Sequence, residues 1–185
     1  MNQIDYEINK ELGECYLFMG ELEKARGYYQ KAAAADGSAI DPFMGLAAIA
    51  VSEGDLNAAL TLYRKAHAVA PGVKSLTGMA MVEAELGRTD DAFSHYAEVL
   101  ALEPGNMLVI NNFLQLAHAR NRLAEMVPFL EGALETGDTE AVRYALAGCL
   151  TVLGREDEAR AQLELLLQTN PANSEAQQLY AQFAA

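Results

Sequence analysis

The sequence predicts an all-α fold, an array of about five helix hairpins closed by a C-terminal helix. A comb of glycine, alanine, aromatic and alanine appears as Gly20, Ala25, Tyr29, Ala32 and returns 34 residues later as Gly54, Ala59, Tyr63, Ala66. Self-similarity at a fixed period of this length is the mark of a repeat array. Further copies stand at Gly87, Ala92, Tyr96 and at Gly154, Ala159, with a weaker one centred on Asn121. Between the copies, Pro71-Gly72 and Pro104-Gly105-Asn106 interrupt the chain. Proline cannot continue a helix and glycine accepts left-handed dihedrals, so these are corners between hairpins.

Taken in order, Ile8, Leu12, Cys15 and Tyr16 recur at helical spacing, Gly20 ends the pattern, and Leu22, Ala25, Tyr29 and Ala32 begin a second apolar series. The second hairpin opens at Asp41-Pro42, read as an N-cap followed by proline in the first turn. Gly54-Asp55 supplies its internal stop and start. In the fourth hairpin Asn121 takes the corner, Met126 replaces a small residue, and Pro128 falls inside the second helix. An interior proline costs ~3 kcal/mol outside the first turn, so that helix should start late or kink near Pro128. After Pro171, Ser174 and Gln177 have capping-box spacing and introduce Ala176, Leu179, Tyr180 and Phe183, a helix suited to covering the end of the stack. The expected boundaries are 6–39, 40–72, 73–106, 107–139 and 140–172 for the hairpins and 173–184 for the capping helix, in a single domain spanning 1–185.

Composition agrees with closely packed helices. Of 185 residues 51% are hydrophobic but only 8% aromatic, with no Trp, and alanine is abundant. The formal net charge of −13 argues against sequence-independent nucleic-acid binding and against an anionic membrane surface, both of which need a basic face. A high negative charge also simply keeps a protein dispersed. Asp5, Glu7, Glu11 and Glu14 leave no apolar signal core near the N-terminus, and no segment has the ~18 apolar residues of a membrane span. Cys15 and Cys149, four repeats apart, read as unpaired small core residues of a reducing compartment, which makes the expected location cytoplasmic. The acidic, alanine-rich style with glycine corners looks bacterial.

With Leu12, Gly13, Tyr16, Gly20, Ala25, Tyr29 and Ala32 in the first hairpin, and Phe43, Leu46, Ala47, Gly54, Ala59, Tyr63, Ala66 and Pro71 in the second, the chain resembles the tetratricopeptide repeat (TPR) family. The resemblance runs from about Tyr6 to the C-terminus and implies a right-handed α-solenoid. Gly37 stands where the first closing proline belongs, and Ala50 replaces an aromatic. Small residues at Gly13, Ala47 and Ala80 let paired helices approach, while Tyr29, Tyr63 and Tyr96 fill the space toward the next repeat. These landmarks belong to the core rather than to a ligand site.

The resemblance further implies a concave groove lined by the first helix of each pair. Carried onto this chain it selects Lys10, Met44, Met81, Asn111, Asn112, Gln115, His118 and Tyr144, with Gly148 and Thr151 on the same face. This groove is charged at one end, apolar in the middle and amide-rich toward the other. Amides both donate and accept, which suits the backbone of a peptide, and methionines give an adaptable apolar floor. Chaperone-binding relatives hold a terminal carboxylate with a clamp of lysine, asparagine and arginine. Here Lys10 and Lys74 match, but Glu14, Gly45 and Gly78 take the other places, so that ligand is disfavoured.

Enzymatic signals are missing. His67, His95 and His118 lie on three different repeats without metal-ligand spacing, and the glycines form no phosphate loop. His67 and His95 read as packing or surface residues. Asp90-Asp91 and Glu156-Asp157-Glu158 open second helices, where negative charge meets the helix dipole favourably. No cofactor or metal is expected. The first functional reading is a non-enzymatic adaptor or scaffold that holds a peptide or helix of a partner protein in the groove. The alternatives are self-assembly, as a homo-oligomer, through the open face of the first hairpin, and a regulatory TPR domain of a larger enzyme. Only about five residues precede the first repeat, an asymmetry that fits either a short leader or the removal of earlier repeats.

Overall fold

Local sequence explains most of the architecture seen in the computed structural model, which describes residues 3–137 and 139–184. Met1, Asn2, Asp138 and Ala185, all within the expected 1–185 domain, lie outside the described residues. Among those described, eleven α-helices and no strand are found: α1 (Gln3–Phe18), α2 (Leu22–Ala35), α3 (Asp41–Ser52), α4 (Leu56–Val69), α5 (Val73–Glu85), α6 (Thr89–Leu102), α7 (Met107–Ala119), α8 (Val127–Thr136), α9 (Glu140–Val152), α10 (Glu156–Thr169) and α11 (Ser174–Ala181). The chain divides into two compact units, one ending at Tyr96 and the other beginning at Ala97, within α6.

The corners within hairpins share one geometry. Gly20, Gly54, Gly87 and Gly154 have φ between +72° and +79°, and Asn121 takes the same left-handed region at +56°. A left-handed residue lets the next amide turn back onto the helix it has just left. Accordingly Glu21 N donates to Tyr16 O at 2.9 Å, Asp55 N to Ala50 O at 2.9 Å, Arg88 N to Glu83 O at 2.8 Å, Arg122 N to Ala117 O at 2.7 Å and Arg155 N to Leu150 O at 2.9 Å. Asparagine tolerates this conformation better than other side chains, which is why the degenerate hairpin still turns.

In the unit ending at Tyr96, the comb alanines Ala25, Ala32, Ala59, Ala66 and Ala92 are fully buried, and Tyr29 packs with Ala25 and Ile49 beneath Tyr16, Leu17, Leu22 and Leu46. Close approach depends on missing side chains. A Cβ added to Gly13 would lie 2.8 Å from Tyr29 Cδ1, and one added to Gly78 would lie 2.5 Å from Tyr63 Cε1. Tyr29 thus packs against Gly13 of its own hairpin and reaches Gly45 of the next, and Tyr63 likewise fills space in the hairpin that follows it.

In the unit beginning at Ala97, α8 starts at Val127 with Pro128 in its first turn, after a 3-10 turn at Leu123–Glu125. The helix starts late, where the missing proline N–H breaks no bond. Met126 is fully buried just before it, and the Phe113 and Phe129 rings meet at 5.7 Å. Helix α11 lays Ala176, Leu179 and Tyr180, and the 3-10 turn after it Phe183, over Ala147, Leu163 and Leu166.

Three local expectations are corrected. Asp41 is the first residue of α3 and not its cap: Ile40 precedes it in helical geometry, and the Asp41 carboxylate instead accepts the Tyr6 hydroxyl at 3.1 Å. Helix α11 is capped by Asn173, whose Oδ1 accepts Ala176 N at 3.0 Å, one residue before the expected Ser174. Cys15 is exposed and not part of the core, whereas Cys149 is buried.

Candidate functional site

Helices α7 and α9 each present residues that packing does not consume. Asn106 caps α7 by accepting Val109 N at 3.2 Å, and Thr139 caps α9 by accepting Val142 N at 3.3 Å. From these starts the apolar faces are buried through Val109, Ile110, Phe113 and Ala117 on α7 and through Val142, Leu146, Ala147 and Leu150 on α9. Helical spacing then turns Asn111, Leu114, Gln115 and His118 to one side of α7, and Tyr144, Ala145 and Gly148 to one side of α9.

Two cavities lie there. One, about 520 Å³, is lined by Met107, Asn111, Leu114, Glu140, Ala141, Tyr144, Ala145, Asn173 and Glu175. The other, about 390 Å³, is lined by Leu114, Gln115, His118, Leu123, Tyr144, Ala145, Gly148, Cys149 and Val152. They share Leu114, Tyr144 and Ala145, so together they form one trough between the two helices. A neutral amide clasp shapes its first end: Asn170 Nδ2 donates to both Glu140 oxygens at 3.2 and 3.0 Å, and Asn173 Nδ2 donates to Oε2 at 3.2 Å. At the second end a Cβ on Gly148 would meet nothing within 4 Å, and burial pushes the Cys149 thiol up to about 11.

Of the residues selected from sequence, Asn111, Gln115, His118 and Tyr144 line this trough. Asn112 lines neither cavity; its Nδ2 is buried without a hydrogen-bond partner. Lys10, Met44 and Met81 belong to the other unit. Met44 is half-buried and Met81 exposed. Lys10 is held by Glu7 at 3.0 Å and Glu11 at 3.2 Å, and these hydrogen bonds, Glu7 first, raise its pKa.

Sequence reasoning missed a polar cluster among α4, α5 and α6. Glu83 is fully buried; its Oε1 accepts Arg64 Nη2 at 3.2 Å, and its Oε2 lies 2.6 Å from His95 Nδ1. Nearby, His67 Nδ1 and Ser75 Oγ are 2.9 Å apart, and Ser75 donates to Gly72 O at 2.9 Å. A buried carboxylate must be paired to be tolerated, so His95 and Arg64 are its structural partners. The available signal was Glu83 standing directly after the apolar run Met79-Ala80-Met81-Val82. Among the described residues no group of three or more His, Cys, Asp or Glu is placed to hold a metal ion, and no helix is long and apolar enough to cross a membrane.

Two sequence models of the tetratricopeptide repeat match the chain, over residues 7–38 and 127–183. Over these stretches the chain is built of tetratricopeptide repeats. Solved structures share the fold of this TPR chain. One comes from the functional characterization of pilF of Pseudomonas aeruginosa, 23% identical, with a TM-score of 0.67 over 95% of this chain and 81% of that one. Another is YrrB, described as a TPR protein with an unusual peptide-binding site, 16% identical, with a TM-score of 0.63 over 92% and 89% of the two chains. Among curated proteins, the BBSome complex member BBS4 of Bos taurus is 31% identical over 111 residues, or 60% of this chain. The chain spans 21% of that protein's length. TPR domains are in general non-enzymatic protein–protein interaction modules, and this all-helical fold supports that general role.

Proposed function

We propose that this TPR chain is a non-enzymatic cytoplasmic adaptor whose α7/α9 trough holds a peptide or helix of a partner protein. The supporting observation is the trough itself. It is preformed, open at Gly148 and lined by His118, Gln115 and Asn111, which lie outside the buried core, and by Tyr144, which also packs against Ala147, Leu163, Leu166 and Ala176. Concave sites with an apolar floor and a few polar groups are where ligands bind, and preformed ones avoid ordering costs. The test is affinity for peptides selected on the purified chain, compared with Tyr144→Ala. A partly buried tyrosine at the centre of a site is the kind of residue whose truncation costs ~2 kcal/mol, a loss of roughly thirtyfold. Unchanged affinity with unchanged helix content would move the site elsewhere.

One observation favours a second reading, self-assembly. Helix α1 and its corner expose Ile4, Ile8, Met19 and Phe18, the last at 95%. Large apolar side chains exposed along a helix and its corner suit an interaction surface. Light scattering over a wide concentration range separates the readings: association lost in Ile8→Glu/Phe18→Glu favours assembly, and a mass that never changes favours the adaptor.

A further inference from the structure

The trough carries information about its ligand as well as its position. Resting on the adaptor reading, we infer that its occupant is an extended segment of another protein with a lysine or arginine four residues from a large apolar side chain. The basic residue sits at Glu140 and Glu175, and the apolar one over Gly148.

Charge decides the first end. Glu140 and Glu175 are the only carboxylates among the described residues lining either cavity, and no lysine or arginine lines them. The nearest cation along α9, Arg143, is turned to the other flank of Glu140, into the cleft with Leu166 and Thr169, where its Nη1 donates to Gln162 Oε1 at 2.7 Å. The amides of Asn170 and Asn173 orient the Glu140 carboxylate without cancelling its charge. Asn111 and Asn173 add groups that can accept from an ammonium or guanidinium. An anionic ligand would meet two carboxylates and be repelled; a cationic one is steered in.

Shape decides the second end. Gly148 leaves the floor of α9 bare, and Leu123 and the exposed Val152 wall it. A ligand side chain of leucine or phenylalanine size covers that surface and removes it from water.

Spacing joins the two. Glu140 and Gly148 are both on α9, and a rise of 1.5 Å per residue separates them by ~12 Å. An extended chain advances about 3.3 Å per residue and places alternate side chains on one face, so positions i and i+4 match that distance on the correct side. Cavities of about 520 and 390 Å³ accept side chains and a single strand, not a whole helix.

The test is selection of a random dodecapeptide display library on the full chain, followed by affinities of the enriched peptides for variants. The expected result is enrichment of Lys or Arg four positions from Leu, Phe or Met. Affinity should fall about three- to tenfold in Glu140→Gln/Glu175→Gln, further in Glu175→Lys, and similarly on raising salt. Gly148→Phe, whose Cβ would meet nothing within 4 Å, should fill the trough and abolish binding while circular dichroism and melting show an intact fold. Enriched peptides that lack basic residues, or that bind the glutamine and lysine variants as tightly as the parent, overturn this inference. If Gly148→Phe still blocks those peptides, the adaptor trough stands and only its ligand chemistry is wrong. Peptides indifferent to Gly148→Phe, or no enrichment at all, overturn both.

Discussion

The ring of Tyr29 occupies the place where a side chain at Gly45 would stand: a Cβ there would lie 2.3 Å from Tyr29 Cζ and 2.4 Å from Cε2. The tyrosine of the first hairpin and the glycine of the second are thus one packing unit. Gly45→Ala should cost about 1 to 3 kcal/mol, since the ring has no room to retreat from a buried methyl. Gly132→Ala, in the middle of α8 with open space around it, should instead stabilise by up to about 1 kcal/mol. Urea denaturation of the two variants measures the difference in sign.

Glu83 is tolerated in the core through its two partners. His95→Ala strips one of them and should destabilise by about 1 to 3 kcal/mol, because the carboxylate stays buried. Replacing both, as Glu83→Leu/His95→Ala, should cost less than the sum of the single changes, because no stranded charge remains. A double-mutant cycle by chemical denaturation checks the coupling. Additive losses would make the 2.6 Å contact energetically idle.

The two thiols should differ in reactivity. Cys15 is exposed, while Cys149 is buried with its pKa pushed up to about 11. A thiolate-directed disulfide reagent at neutral pH should therefore titrate one cysteine quickly, and Cys15→Ser should remove that phase. Cys149 should react only on unfolding. Two fast thiols in the native protein would contradict the burial of Cys149.

Alkaline pH should unfold the chain as it ionises the core tyrosines. Burial pushes Tyr29 and Tyr96 up to about 12, from an ordinary value of 10. Because the folded value is raised, the neutral phenol is the form the fold favours. The associated stability is fully present below pH 10 and is lost as pH climbs from 10 toward 12. Tyrosinate absorbance should appear in step with loss of helical signal across that window. Ionisation of all eight tyrosines near pH 10 in a still-folded chain would sink this expectation.

Much of the hairpin plan was legible because it depends on neighbours in sequence. Gly20, Gly54, Gly87, Gly154 and Asn121 mark corners, since each corner needs one left-handed residue and few residue types supply it. Pro128 announced a late start for α8 because its ring forbids the alternative. Caps were less legible. Asn173 and Ser174 both suit an N-cap, and the choice fell to Asn173, whose Oδ1 caps α11 while its Nδ2 reaches across to Glu140. Asp41 similarly gave up the cap for the hydroxyl of Tyr6, 35 residues away.

The candidate site divides along the same line. Asn111 and Asn112 are adjacent and chemically identical, yet only Asn111 reaches the trough, because a helix turns neighbours about 100° apart. Placing Asn111, Gln115, His118 and Tyr144 on first helices needed no more than the repeat register. The register could not tell that Glu140 and Glu175 share a cavity or that Glu83 finds Arg64 and His95. Period, corners, small-residue contacts and the acidic balance are properties of residue type and spacing, and the sequence alone determined them. Which carboxylate is buried, which asparagine caps and which faces remain open follow from contacts between helices distant along the chain. Only packing in three dimensions decided those, because burial and hydrogen bonding are shared among residues that the sequence does not place side by side.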